Sequence, residues 1–365
     1  MKLHRNRFRG CLLGGAVGDA LGAPVEFMAR NEILRHFGPG GITAYAPGYS
    51  GAGTITDDTQ LTLFTAEGLL RAWVRGCFNG HSSIPDVTRL AYLRWLHTQR
   101  ETPGTEGAGT AGLDGWLIQQ GELHHRRAPG YTCLTALGEP PPDGTPVNES
   151  KGCGGVMRVA PVGLFLWLAG GPRAPHHAFR LAADLAALTH GHPTGQLTAG
   201  VLAALVLLLA DGEPLAGALA ATRGILAQHP GHEETLHAML QAEALANSTL
   251  APAAAIAKLG QGWLAEEALA IAIYCALVAR SFRDGVILAV NHDGDSDSTG
   301  SIAGNLLGAM HGMDAIPAEW LEPLELRDVI KQVADDLYDY RDWDIGEHSA
   351  NQALNEQVWN KYPGC

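Results

Sequence analysis

The chain has 365 residues, 46% of them hydrophobic, which is enough to bury a large core as one big domain or two ordinary ones. Its formal net charge is −13, from 38 acidic and 25 basic residues, and no run of Lys or Arg forms a stripe. We therefore expect no nucleic-acid partner. Alanine, leucine and glycine dominate over aromatic residues, which favours an all-α fold over a β-sandwich.

The glycine-rich stretch GGAVGDALG near the N-terminus is similar to a dinucleotide-binding fingerprint. That fingerprint requires a preceding strand and a βαβ unit, and neither is indicated here. We therefore expect these glycines to allow close helix packing. Asp19 either has a local structural role, capping or fixing the loop that carries Glu26, or has a direct functional role, and both interpretations stay open.

The stretch TITDDTQ (residues 54–60) places two carboxylates where a helix begins. Leu61, Phe64, Leu69 and Trp73 follow near helical spacing, which predicts an amphipathic helix. A helix N-terminus stabilises one carboxylate, but two adjacent ones repel each other unless a cation neutralises them.

The segment from Thr102 to Gly155 is rich in Gly, Pro and Thr, which predicts long surface loops that often carry binding function. Within it, Gly152, Gly154 and Gly155 expose backbone N–H groups that suit anionic oxygen. For Cys153 we expect a packing role rather than a nucleophilic one, because no partner base can be named. Asp114 is a further acid/base candidate.

Later segments repeat the helical pattern, and Leu197 to Ala210 is almost wholly apolar. This apolar segment is shorter than a membrane span, so we expect a buried core helix and no membrane association. The remaining predicted helices are Gln196–Asp211, Leu215–Gln228, Glu233–Ala246 and Glu266–Arg280. With no repeat or linker, we predict a single domain over residues 1–365.

A second acidic cluster, DGDSDS, precedes an Ala/Gly-rich helix predicted from about Ile302 to Met310. An EF-hand loop starting at Asp293 would need Gly at position six and Glu at position twelve, where Ser298 and Gly304 stand. The remaining interpretation is that carboxylates and hydroxyls bind hard ions such as Mg²⁺ or Mn²⁺. If the two clusters meet, they can hold two ions that orient a water and a substrate.

Five motifs occur in order along nearly the whole chain: GDALGAPVE, TDDTQ, KGCGGVMRVAP, THGHP and GDSDSTGSIAGNLLGA. Together they resemble the motif set of the ADP-ribosylglycohydrolase family. The resemblance implies a compact all-α domain with a di-magnesium or di-manganese centre. It also implies removal of ADP-ribose from modified side chains or from small ADP-ribosyl compounds.

The same resemblance suggests individual roles. The implied metal ligands are Thr56, Asp57 and Asp58 for one ion, and Asp295 and Ser298 for the other, with Asp297 between them. Ser298 stands where the family commonly has threonine, so Thr299 is an alternative ligand. The implied catalytic residues are Glu26, Asp58 and Asp297, and Glu26 or an aspartate accepts the proton of the attacking water. The implied substrate-binding residues are Gly152, Cys153, Gly154, Gly155, Met157 and His190, with His190 contacting adenosine or ribose.

The function expected from these residues is hydrolysis of ADP-ribose from an acceptor, with arginine on a protein as the preferred guess. A binding protein that blocks an ADP-ribosylating toxin, in addition to or instead of hydrolysis, and a hydrolase of a free ADP-ribosyl metabolite are the alternatives. An ADP-ribosyltransferase is a further candidate partner. The six cysteines form no C-x-x-C pair and the start lacks a signal peptide, so we expect a reduced, cytoplasmic monomer.

Overall fold

The computed structural model describes residues 2–49, 51–99, 112–138, 148–167 and 170–364. The described residues form helices and short 3₁₀ turns, with no strand and one isolated bridge between Gly152 and Leu264. The α-helices are α1 Lys2–Gly22, α2 Arg30–Phe37, α3 Asp57–Asn79, α4 Ile84–Thr98, α5 Tyr131–Gly138, α6 Ala160–Trp167, α7 Ala174–Ala187, α8 Pro193–Asp211, α9 Leu215–Leu226, α10 Glu233–Ala246, α11 Pro252–Leu259, α12 Ala265–Val278, α13 Phe282–Val290, α14 Ser296–His311, α15 Ala318–Leu321, α16 Arg327–Asp339 and α17 Gln352–Lys361. The all-α prediction is confirmed.

Helices α1 and α14 pack with their backbones in contact, because glycines face each other along the interface. A Cβ added to Gly18 would lie 1.9 Å from the carbonyl oxygen of Gly300, and one added to Gly304 would lie 2.0 Å from that of Gly14. No other residue type fits at these positions without moving a helix. The expectation that the N-terminal glycines serve helix packing is confirmed.

Helix α8 runs through the core. It is longer than the apolar segment seen in the sequence, and by length and composition alone it could cross a membrane. The prediction that this segment is too short to span a membrane is therefore wrong. However, 83% of its apolar window is buried inside the fold, as expected for a core helix.

Two predicted boundaries are corrected by the structure. Helix α14 begins at Ser296, six residues before the predicted start at Ile302, so part of the acidic cluster forms its first turn. The segment from Thr102 to Gly155 is not wholly loop, because Tyr131–Gly138 is helical. Residues 100–111 and 139–147 of this segment lie outside the described residues.

Candidate active site

The first turn of α3 is fixed by a carboxylate from α1. Asp19 is fully buried and accepts hydrogen bonds from the N–H groups of Thr56 and Thr59, each at 3.1 Å, and from the Thr59 hydroxyl. These bonds satisfy N–H groups that a helix start leaves without partners. The structure shows the local structural role of Asp19, which positions the start of α3.

The first turn of α14 is capped by its own acidic residues. The Ser298 N–H donates to Asp295 Oδ1 at 3.2 Å and to Asp297 Oδ1 at 3.0 Å. The Ser298 hydroxyl points the other way, toward α3, and donates to Asp58 Oδ1 at 3.3 Å. The two acidic clusters, about 240 residues apart in sequence, therefore meet at one place.

Ser298 and Thr299 differ in where their hydroxyls point. The Thr299 hydroxyl is buried among the carbonyl oxygens of Ala289 and Asp295 and the ring of His292, all at 2.8 Å. Only Ser298 directs its hydroxyl at the opposite carboxylate cluster. Of the two alternatives left by the sequence, the geometry favours Ser298.

The carboxylates raise one another's pKa. Burial, followed by the negative charge of Asp297, raises the pKa values of Asp57 and Asp58 well above the usual range. Burial and the charge of Asp295 do the same to the pKa of Asp297. Burial and the charge of Asp297 raise the pKa of Glu26 to about 9. The cluster therefore carries more negative charge than the fold alone can stabilise in ionised form.

The glycine loop at residues 152–155 contacts the acidic cluster through Cys153. The N–H of Cys153 donates to the carbonyl of Trp263 at 3.1 Å, and the Cys153 thiol lies 2.8 Å from Asp295 Oδ2, to which it donates. Burial and the charge of Asp295 raise the pKa of this thiol well above its ordinary value. A neutral thiol that donates to a carboxylate is not an activated nucleophile, in agreement with the expected packing role.

His190 lies beneath the same loop and is 1% exposed. A Cβ on Gly155 would lie 3.3 Å from its Nδ1, which itself lies 2.8 Å from the Thr189 hydroxyl. Burial and the charge of Arg158 lower the pKa of His190 to about 3, so the ring is neutral. The ring supports the loop, and its predicted contact with a ligand stays a prediction.

Met157 is also buried and lies behind Ser298, with its sulfur 3.8 Å from the Ser298 hydroxyl. His192 caps α8 by accepting the Thr194 N–H at 3.1 Å, so the sequence His-x-His does not form a pair of ligands.

Comparison with known proteins identifies the family. The sequence model of the ADP-ribosylglycohydrolase family matches residues 1–345. The chain belongs to the ADP-ribosylglycohydrolase family. Its members are hydrolases that act on the glycosidic bond of ADP-ribose.

Three relatives illustrate the similarity. The chain is 26% identical over 342 residues to the ADP-ribosyl-[dinitrogen reductase] glycohydrolase of Rhodospirillum rubrum, covering 90% of this chain and 94% of that protein. It is 25% identical over 352 residues to the ADP-ribosylarginine hydrolase Tri1 of Pseudomonas putida, covering 92% and 78%. A solved structure of an ADP-ribosylglycohydrolase-related protein complex superposes with a TM-score of 0.63 at 28% identity, covering 93% of this chain and 99% of that chain.

The family is generally metal-dependent. Among the described residues, no group of three His, Cys, Asp or Glu side chains is arranged as a ready metal site. Asp295 and Asp297 instead turn oxygens toward the Ser298 N–H, and Asp295 also accepts the Cys153 thiol. The predicted two-ion centre is therefore not seen as such and stays a prediction.

The chemistry of the donors nevertheless fits a hard cation. Asp58 Oδ2 is buried and has no hydrogen-bond partner among the described residues. Its neighbours are carboxylate and hydroxyl oxygens, the donor class that Mg²⁺ and Mn²⁺ prefer. An unpaired buried carboxylate oxygen costs free energy that a bound cation would remove.

The acid/base candidate Asp114 and two charged residues of the KGCGGVMRVAP motif lie in other contacts. Asp114 Oδ1 lies 2.7 Å from Arg71 Nη2, in an ion network with buried Glu67. Lys151 pairs with Glu234 and Glu266 at 2.7 and 3.0 Å. Arg158 is buried against the Thr189 hydroxyl at 2.7 Å.

Two contacts of the site were not predicted from the sequence. The Tyr49 hydroxyl donates to Glu26 Oε2 at 3.1 Å, and the ring of Phe27 stacks on Trp263 with centroids 5.3 Å apart. Neither contact follows a periodic pattern. The one available signal was that Phe27 directly follows the implied catalytic glutamate.

Proposed function

We propose that this chain hydrolyses the bond between ADP-ribose and an arginine side chain of a modified protein, with the help of two divalent cations. The observation that carries the proposal is the meeting of two buried acidic clusters around the unpartnered Asp58 Oδ2. The names of the relatives from Rhodospirillum rubrum and Pseudomonas putida support a protein substrate and an arginine acceptor.

The proposed ligands are Thr56, Asp57 and Asp58 on the α3 side, with Asp295, Asp297 and Ser298 on the α14 side. Mg²⁺ or Mn²⁺ held there supplies neutralisation of the clustered carboxylates and Lewis-acid activation of a water molecule. Asp19 lies outside this set, because its oxygens already accept three donors from Thr56 and Thr59.

Glu26 is the proposed general base. It lies at the open side of the cluster, half-buried, and the Tyr49 hydroxyl holds its Oε2. Burial, and after it the charge of Asp297, raises the pKa of Glu26, so a cation that balances the charge of Asp297 would remove part of that rise and favour the carboxylate form that accepts a proton. Cleavage at the anomeric carbon develops positive charge on the ribose ring, which the neighbouring carboxylates stabilise.

The glycine loop at residues 152–155 is the proposed binding site for the anionic part of the substrate. A Cβ on Gly154 would lie 3.0 Å from Cys133 Sγ and 3.3 Å from His190 Cε1, so side chains fill the inner face of the loop. On its outer face, backbone N–H groups can donate to the anionic oxygen atoms of the substrate. The five described cysteines are free, which supports the proposed cytoplasmic location. We propose that the chain acts as a monomer.

The test incubates the protein with arginine-linked, serine-linked and nucleic-acid-linked ADP-ribose, with Mg²⁺, with Mn²⁺ and with EDTA, and measures free ADP-ribose by chromatography. Release from the arginine-linked substrate that EDTA abolishes is the expected result. Release from no acceptor would favour a binding protein, and release unaffected by EDTA would refute the cation-dependent mechanism.

Asp58→Asn tests the carboxylate without disturbing the fold, because asparagine has the same side-chain shape as aspartate. We expect it to lower hydrolysis by about 100-fold or more. We also expect it to remove the rise in melting temperature that Mg²⁺ or Mn²⁺ causes in the unmutated protein. Asp342→Asn, an exposed aspartate on another part of the surface, is the matched control and should change neither measurement.

A further inference from the structure

Phe27 combines two unfavourable features at the edge of the acidic cluster. Its side chain is 68% exposed, although a phenyl ring gains free energy by burial. Its backbone has φ of 68°, in the left-handed region that glycine and asparagine adopt far more readily. Strain of this kind persists where the surrounding structure imposes it, and it clusters at ligand-binding positions.

The surrounding structure aims the ring at one place. The Glu26 N–H donates to the carbonyl of Gly22 and the Met28 N–H to that of Val25, each at 3.0 Å, which fixes the chain on both sides of Phe27. The ring then lies on Trp263, with an interplanar angle of 22°. One face of Phe27 is covered by Trp263, and the exposed fraction leaves the other side to solvent.

Trp263 is anchored to the opposite side of the site. Its carbonyl accepts the Cys153 N–H at 3.1 Å. A Cβ on its neighbour Gly262 would lie 3.2 Å from the carbonyl oxygen of Asp295. The aromatic pair therefore connects the loop that follows Glu26 with the loop that carries Asp295, across the mouth of the acidic cluster.

The carboxyl groups at this mouth favour one kind of ligand for the Phe27 ring. Glu26 directly precedes Phe27, and Glu26 lies close enough to Asp297 and Asp295 to interact with both electrostatically. Lys151, which directly precedes the glycine loop, is already paired with Glu234 and Glu266. The face of an aromatic ring attracts cations, and planar guanidinium groups stack on such faces. A guanidinium can also donate its N–H groups to the carboxyl oxygens beside the ring.

We infer that Phe27, stacked on Trp263, binds the guanidinium of the arginine acceptor and so determines the acceptor that this site takes. The inference rests on the proposed hydrolase function. It makes Phe27 a specificity-determining residue, because serine-linked ADP-ribose offers no planar cation to the ring. Stacking on the adenine of ADP-ribose is the competing role, and it predicts different effects.

The first experiment compares kcat/KM on matched arginine-linked and serine-linked ADP-ribosyl peptides for the unmutated protein, Phe27→Leu and Phe27→Tyr. Leucine keeps an apolar side chain but has no aromatic face, whereas tyrosine keeps the face. We expect Phe27→Leu to lose about 3- to 30-fold on the arginine-linked peptide alone, and Phe27→Tyr to keep most of it. Melting curves of both variants establish that they fold.

The second experiment needs no turnover and so separates this inference from the proposed function. Butylguanidine and its uncharged isostere butylurea are titrated into the protein in EDTA, and tryptophan fluorescence is followed. We expect butylguanidine to bind about 3- to 30-fold more weakly to Phe27→Leu, with no such change for butylurea. If the unmutated protein releases no ADP-ribose from any peptide, the proposed function fails, while this titration still tests the ring.

Three results would overturn the inference. They are an equal loss of kcat/KM on both peptides, a weaker affinity of Phe27→Leu for ADP-ribose itself, and equal binding of butylguanidine to the variant and the unmutated protein. A weaker affinity for ADP-ribose itself would show that Phe27 stacks on the adenine.

Discussion

The contact between α1 and α14 gives the sharpest test of how the fold positions the site. Gly304→Ala places a Cβ 2.0 Å from the carbonyl oxygen of Gly14 and 2.5 Å from its carbonyl carbon. Real Cβ atoms essentially never come closer than 3.0 Å, so the helices must separate by 3.0 − 2.0 = 1.0 Å or more. The obstructing atoms belong to the backbone and cannot rotate away.

Overpacking of this kind costs about 1–3 kcal/mol, and the rigidity of the obstruction places this case at the upper end or beyond. Alanine returns up to about 1 kcal/mol through its better helix propensity. The free energy of unfolding should therefore fall by about 2 kcal/mol or more. Because α14 carries Asp297 and Ser298 in its first turn, a shift near 1 Å should also lower hydrolysis by about 100-fold.

The assay is urea unfolding in EDTA, followed by circular dichroism, together with kcat/KM for the active substrate. Gly224→Ala is the matched control, since Gly224 lies inside α9 and a Cβ there meets nothing within 4 Å. We expect that control to be more stable than the unmutated protein by about 0.5–1 kcal/mol and equally active. Equal unfolding midpoints for the two variants would refute the packing argument.

Three further changes test contacts around the site. Glu67→Ala leaves the buried guanidinium of Arg94 without its partner at 2.8 Å, so urea unfolding should show a loss of about 3–5 kcal/mol, and a loss below about 1 kcal/mol would contradict this. The pKa of His190 is about 3 in the folded chain and 6.5 in the unfolded chain, so below pH 6.5 the unfolded chain binds a proton that the folded chain does not. The free energy of unfolding should therefore fall by about 2 kcal/mol when the pH is lowered to 5. His190→Gln should flatten that part of the stability profile, and an unchanged slope would count against a neutral buried ring. Cys153→Ser should keep most of the turnover, because a hydroxyl also donates to Asp295, whereas abolished turnover would show that the thiol takes part.

The helices could be predicted where apolar residues repeat with helical spacing over several turns. Helix α10 has the predicted bounds Glu233–Ala246, and α12 differs from its prediction by one or two residues at each end. The start of α14 was placed too late because Asp and Ser are unfavourable inside helices, although they are favourable in a first turn. The pattern therefore indicated the body of that helix and missed its acidic beginning.

The meeting of the two acidic clusters followed from chemistry rather than from periodicity. Neighbouring carboxylates at a helix start need a partner, and that need suggested that Asp58 and Asp297 come together. The contacts of Cys153 with Asp295 and of Phe27 with Trp263 could not be predicted, because they join irregular loops far apart in sequence. No local preference indicates such pairs, because they depend on how several helices pack against one another.

Two helix starts help the chain to tolerate the five buried aspartates at this place, Asp19, Asp57, Asp58, Asp295 and Asp297. Helices α3 and α14 both begin at the cluster, and each N-terminus contributes a partial positive charge of about half a unit. Two such ends offset roughly one negative charge, and the raised pKa values of Asp57, Asp58 and Asp297 show that more remains. If divalent cations balance that remainder, as proposed, then cation binding stabilises the native state directly, because the unfolded chain does not gather these carboxylates. The glycine contacts hold α14 against α1, and Asp19 of α1 holds the start of α3, so these contacts would act on cation binding and on stability together.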